Sequence, residues 1–146
     1  MVEVMKGKSM GLDVMKIDYY NIMIDGQITS ASILLSTIVG AGVDFHAFKA
    51  IPVEPDRTQF TLFAKDTSKM TDGAKRSGLK LDGPYAALLI KGGEEPGALA
   101  DIYKKISRAG IQVAEACGIA DINAGYGVIL YLDEEDCDKA LIALKT

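Results

Sequence analysis

Histidine occurs once in this chain, at His46, and cysteine twice, at Cys117 and Cys137. Zinc needs a close-spaced set of Cys and His ligands, so three scattered residues exclude a typical site. His46 falls on an expected strand between Phe45 and Phe48 with no triad partner beside it, and reads as structural. No nucleophile–base pairing is legible anywhere, so an enzyme is not expected, and neither is a cofactor. Basic excess is also missing. Sixteen Lys and Arg face twenty Asp and Glu, giving a net charge of −4 without a basic cluster. That argues against nucleic acid and anionic membrane surfaces as partners. No apolar run approaches the roughly 18 residues that span a bilayer, and Met1 to Met15 has no apolar stretch suited to a signal peptide. A cytoplasmic protein with reduced thiols is the expectation. Cys117 and Cys137 then serve packing, and the acidic run Asp133 to Asp136 favours the start of a helix through its dipole.

What the chain has is apolar periodicity. Of its 146 residues, 49% are hydrophobic, enough for one core or two small ones. The pattern predicts strands at Met15–Ile24, Val43–Val53 and Arg57–Ala64, with helices at Thr29–Ala41 and Ser68–Arg76. The same order then returns. Strands are expected at Tyr85–Lys91, Ile111–Ile119 and Gly127–Leu132, with helices at Pro96–Ala109 and Glu134–Leu144, and a turn at Asn123-Ala124-Gly125. Gly73 weakens the second helix. Asp82–Pro84 reads as the linker. A shift of 68 residues aligns the passes without gaps, setting Ala41-Gly42-Val43 on Ala109-Gly110-Ile111 and Leu62 on Leu130. This divides the chain into an N-terminal segment, 1–13, and two units, 14–81 and 82–146.

Each pass reads as a split βαβ, or ferredoxin-like, βαββαβ unit of the α+β class. The fourth strand is open: Gly78–Leu81 in the first unit, and for the second either Val2–Met5 or none. The strands are apolar on both faces, unlike an antiparallel sheet with one wet side. The second face is therefore expected to be covered, by the other repeat or by a second subunit. The helix from Ser30 to Ala41 carries Ile33, Leu34, Leu35, Ile38 and Val39, too many for one buried stripe, and also points to a homo-oligomer.

The feature bearing most on function is Gly92-Gly93-Glu94-Glu95-Pro96-Gly97-Ala98-Leu99. A strand feeds a glycine-rich turn that opens a helix. Pro suits the first turn of a helix, Gly97 lets a ligand approach the backbone, and a helix N-terminus attracts a carboxylate. Together with Ala109-Gly110-Ile111-Gln112 and the hairpin from Ala120 to Leu132, this stretch resembles the ACT domain, a small ligand-sensing module of amino-acid metabolism. The resemblance covers about sixty residues of the second repeat well. It covers the first only by element order and Ala41-Gly42-Val43.

The resemblance implies tandem ACT-type units with antiparallel sheets and helices on one face, pairing side by side. It implies an amino acid bound where units meet, by the loop after the first strand and the start of a neighbouring second strand. Carried over, the ligand-binding positions are Gly92, Gly93, Glu94, Glu95, Gly97, Ala98, Leu99 and Gln112, with Gly26 and Asp44 in the first repeat. The family often has Asp or Asn where this chain has Glu94, whose charge suits a ligand ammonium better than a carboxylate. The first repeat has Ile28-Thr29 in place of the Pro-Gly turn, so two sites would not be equivalent. The expected function is a non-catalytic, amino-acid-binding regulatory protein and homodimer. The alternative is a regulatory subunit or interaction module that binds a biosynthetic enzyme in trans without its own ligand.

Overall fold

The computed structural model describes residues 12–26, 28–92, 97–121 and 125–145. Among them are six strands and four helices: β1 (Asp13–Asp25), α1 (Ile28–Gly40), β2 (Phe45–Glu54), β3 (Arg57–Ala64), α2 (Thr67–Ser77), β4 (Asp82–Gly92), α3 (Ala98–Arg108), β5 (Glu115–Asp121), β6 (Gly125–Tyr131) and α4 (Glu134–Lys145). Pro96, Asn123, Ala124 and Val2–Met5, named above for a helix start, a turn and a strand, lie outside the described residues. So do Gly93, Glu94 and Glu95 of the loop.

The chain folds as two compact units. One is Asp18–Tyr85; the other joins everything from Ala86 onward to the chain up to Ile17. Both boundaries fall inside a strand, β1 and β4. In the first unit β3 lies between β2 and β1, antiparallel to both, with Leu62 opposite Tyr20 and Phe48. In the second, β6 lies between β4 and β5, again antiparallel, with Leu130 opposite Leu88 and Ala116. The core of the first unit holds Tyr20, Ile22, Leu34, Ile38, Phe60, Leu62 and Met70. That of the second holds Leu88, Ile90, Ile102, Ile106, Val128, Leu130 and Cys137. At the 68-residue offset Ile22, Leu34, Ile38 and Leu62 match Ile90, Ile102, Ile106 and Leu130, so buried positions recur along with the elements.

The Ala-Gly-apolar motif that recurs between the repeats is a helix stop. Gly42 (φ 87°) and Gly110 (φ 72°) take the left-handed conformation that glycine adopts without penalty. The next amide in each case reaches back five residues: Val43 N–H donates to the Ile38 carbonyl at 3.3 Å, and Ile111 N–H to that of Ile106 at 3.2 Å. Gly42 and Gly110 N–H donate to Val39 and Ser107, completing a Schellman motif at both sites. Val43 and Ile111 are buried under the helix end. Their amides are committed to that closure, so the strands expected from Val43 and Ile111 begin later, at Phe45 and Glu115. A third closure ends α2, where Gly78 is left-handed and Leu79 N–H donates to Ala74. Residues 78–81 consequently form no strand; Leu79 and Leu81 pack onto the core instead.

The expected linker Asp82–Pro84 is instead the start of β4. A side chain at Gly83 would meet the Tyr19 carbonyl oxygen at 2.8 Å, so the chain is tightly packed there. Gly73 likewise has a reason beyond helix propensity: a Cβ on it would lie 2.7 Å from the Ala41 Cβ.

The face of the strands away from the helices is closed as well. Ala87, Leu89, Ile129 and Tyr131 are 0%, 8%, 9% and 6% exposed, and Phe63 is fully buried. Among the described residues, the large apolar side chains more than half exposed are Ile33 and Val39 on α1, Phe48 on β2, Ile119 on β5 and Ile142 on α4.

Candidate functional site

α3 begins at the end of the glycine-rich loop. Gly97 is its N-cap residue, with φ −86° and ψ −1°, and no side chain among the described residues caps it. A helix start leaves its first amides without intrahelical partners; the first bond here is Asp101 N–H to the Gly97 carbonyl at 3.0 Å. Among the described residues, a Cβ on Gly97 would meet no atom within 4 Å, so they leave space open above it. Ala98 is buried beneath the turn and Leu99 is half-exposed beside it. Gly92 differs from Gly97. It stands opposite Tyr126 in the β4–β6 ladder, and a Cβ there would touch Leu12 at 3.0 Å. Its small size serves packing against Leu12.

Gln112 is placed elsewhere. It precedes β5, whose first residue Glu115 pairs with Tyr131, whereas Gly92 pairs with Tyr126 at the other end of β6. Five strand steps separate these ends, about 17 Å at roughly 3.4 Å per residue. The same separation holds in the first unit. Gly26 follows β1 and donates its N–H to the Asp56 carbonyl at 2.7 Å. Asp44 lies before β2, at the end where Phe45 pairs with Ala64. Its carboxylate accepts the Phe45 N–H at 2.9 Å and pairs with Lys65 Nζ at 3.3 Å. Those two contacts hold its pKa below the usual aspartate value, the backbone hydrogen bond first. Within a unit, then, the loop residues and the second-strand residues occupy opposite ends.

Each unit carries a groove that composition alone did not single out. In the first, Ile24, Gly26, Ala31, Asp56, Thr58 and Phe60 border a cleft of about 400 Å³. In the second, Leu99 and Tyr103 of α3, Ala116–Ala120 of β5, and Tyr126 and Val128 of β6 border one of about 340 Å³. Ala31, Thr58 and Phe60 match Leu99, Tyr126 and Val128 at the 68-residue offset, so the grooves share part of their walls. The legible signal for the second was the strand Glu115–Asp121, with small residues at 116, 118 and 120. Among the described residues, no three His, Cys, Asp or Glu side chains converge as a metal site, and no helix is long and apolar enough to cross a membrane.

No family model matches the chain, and no curated protein matches it by sequence. Solved structures do match by shape. A protein of Bacteroides thetaiotaomicron aligns over 90% of this chain and 88% of its own, with a TM-score of 0.77 at 17% identity. The ligand-free regulatory subunit of aspartate kinase from Thermus thermophilus aligns over 92% and 95%, with 0.61 at 16%. A chain from a structure of aspartokinase alpha and beta subunits gives 92% and 94%, with 0.61 at 15%. At these identities the likeness establishes the fold: this chain has the ACT-type α+β fold of aspartate kinase regulatory domains.

Proposed function

We propose that this chain is a non-catalytic regulatory protein of amino-acid metabolism, built of two tandem ACT-type units, that binds an amino acid at the Gly92–Gly97 loop. The observation that carries the reading is the start of α3 at Gly97, uncapped and sterically open among the described residues, in a fold shared with regulatory subunits of similar length. The amides near Gly97 and Ala98 would hold the carboxylate, where the helix dipole favours negative charge. Gly93, Glu94 and Glu95 would complete the loop, with Glu94 or Asp44 serving the ammonium. Gln112 and Asp44, at the far ends of their own units, would contribute from a second copy in a homodimer. A cytoplasmic setting fits this role.

The second reading is a regulatory subunit that acts on an enzyme in trans without a ligand. It is favoured by the match to a chain from a two-subunit aspartokinase structure over nearly its whole length. Titration calorimetry with the common amino acids separates the two. A ligand at about 100 times its dissociation constant should also add about 2.7 kcal/mol to stability. Gly97→Val, which the open space tolerates, should abolish binding with the circular dichroism unchanged. If no amino acid binds the unmodified protein, or the variant binds equally well, the ligand reading fails. Co-purification with a larger enzyme subunit would then favour the second.

A further inference from the structure

The groove of the second unit is bordered, among the described residues, by small, apolar and aromatic side chains. Its floor is the inner face of β5. Ala116, Gly118 and Ala120 stand opposite Leu130, Val128 and Tyr126, and Leu130 and Val128 belong to the core under the helices. Three alternate positions on that face therefore carry nothing larger than a methyl group. One wall is Leu99 and Tyr103, four residues apart on α3 and so on one face, 44% and 42% exposed. The groove begins beside the loop: Leu99 is two residues beyond Gly97, and Tyr126 pairs with Gly92.

This clearance is particular to the second unit. The first unit's matching strand positions are Phe48, Ala50 and Pro52, opposite Leu62, Phe60 and Thr58. A phenyl ring thus stands at the position that Ala116 leaves empty, and the α3 wall is built up in exchange, with Leu99 and Tyr103 where α1 has Ala31 and Leu35. None of the described residues bordering the groove is Asp, Glu, Lys, Arg or His. A charged side chain lying there would lose water without gaining a counter-charge, which is costly. An apolar one would bury its surface against Leu99, Val128 and the alanine methyls, with the Tyr103 and Tyr126 hydroxyls left for the rim.

We propose that the groove between α3 and β5 takes the apolar or aromatic side chain of the bound amino acid, so that leucine-, methionine- or phenylalanine-like ligands are selected over charged ones. The inference rests on the reading of Gly97 as the carboxylate end of the site. It is tested by calorimetry with L-leucine, L-methionine, L-phenylalanine, L-lysine, L-aspartate and L-threonine on the full chain. One of the first three should bind, and Ala116→Phe should weaken it about tenfold or more. Position 116 is exposed, so the variant should keep its melting temperature. Gly118→Val, at a site where a Cβ meets its nearest atoms at 3.4 Å, should act in the same direction. Binding of L-lysine, L-aspartate or L-threonine with none of the apolar three overturns the proposal and leaves the amino-acid reading standing. No binding by any of them overturns the proposal, and the amino-acid reading falls with it only when the remaining common amino acids also fail to bind. Apolar binding that Ala116→Phe does not weaken also overturns it. So does a ligand-free dimer, seen by sedimentation, that Ala116→Phe converts to monomer, since a second copy would then occupy the groove.

Discussion

Replacing Gly73 by alanine sets two effects of known size against each other. In the interior of an exposed helix, alanine in place of glycine stabilises by about 1 kcal/mol. Gly73, however, is buried in α2, and its new Cβ would sit 2.7 Å from the Ala41 Cβ. Carbon atoms are comfortable at roughly 3.5–4.0 Å, so α2 and the end of α1 would have to part by about 1 Å. Overpacking of this kind costs about 1–3 kcal/mol. Gly73→Ala should therefore lower stability by about 1 kcal/mol net. Removing the opposing methyl with Ala41→Gly should reverse the sign, so that Gly73→Ala stabilises by about 0.5–1 kcal/mol in that background. Gly40, at the end of α1, is a control: a Cβ there meets nothing within 4 Å, and Gly40→Ala should gain a few tenths to about 1 kcal/mol. Urea unfolding of the four proteins of the cycle, at constant m-value, measures the coupling. If Gly73→Ala stabilises equally with and without the Ala41 methyl, the close approach of these helices is not what keeps glycine at 73.

Leu130, fully buried on β6, should cost about 2–5 kcal/mol when cut to alanine. Ile119→Ala on the outer strand, 76% exposed, should stay within about 0.5 kcal/mol by the same urea assay. Asp66 caps α2, accepting the Ser68 hydroxyl at 2.7 Å and the Ser68 and Lys69 amides at 3.0 and 3.2 Å. The Ser68 hydroxyl first, and then the Lys69 amide, hold its carboxyl below the ordinary aspartate range. A depressed folded pKa stabilises above the unfolded value, near 4, and that stability is lost as pH falls through the folded one. The urea midpoint should therefore drop more steeply below pH 4 for the native protein than for Asp66→Asn, which keeps an acceptor but does not titrate; parallel curves would contradict the cap.

Strand and helix order was legible because apolar spacing decides it locally: the six strands and four helices expected in the two passes each have an observed counterpart within a few residues, Arg57–Ala64 without any shift, while the fourth strand at Gly78–Leu81 does not form. Misplacements came where one backbone group served two neighbours. Val43 and Ile111 looked like strand residues from their β-branched side chains, but their amides close the preceding helices. Asp82-Gly83-Pro84 looked like punctuation, yet β4 starts there because Gly83 lets the chain lie against Tyr19. Of the candidate site, Gly97 stands in the open helix start that its sequence context implies. That Gly92 packs on Leu12, or that Asp44 is already held by Lys65, depends on residues distant in sequence or across a turn, which spacing does not reveal. The groove floor was visible only as alternating small residues, a pattern that acquires meaning once β5 is known to pair with β6, with 116, 118 and 120 opposite core residues and Tyr126.

The compact units do not end where the sequence repeats end. Because the boundaries cut β1 between Ile17 and Asp18 and β4 between Tyr85 and Ala86, the halves are not modules that a single cut can separate. A gene cut at residue 82 would deprive the downstream half of Val14, which is part of its core, and of Leu12, which packs on Gly92. It would also remove from the upstream half the start of β4, whose Tyr85 stacks on Tyr19 at 5.5 Å. Duplication of a half, transplantation of one as a sensor, or deletion of one to assign a ligand would each begin from a damaged fold, so experiments on this protein are best carried by single substitutions in the whole chain.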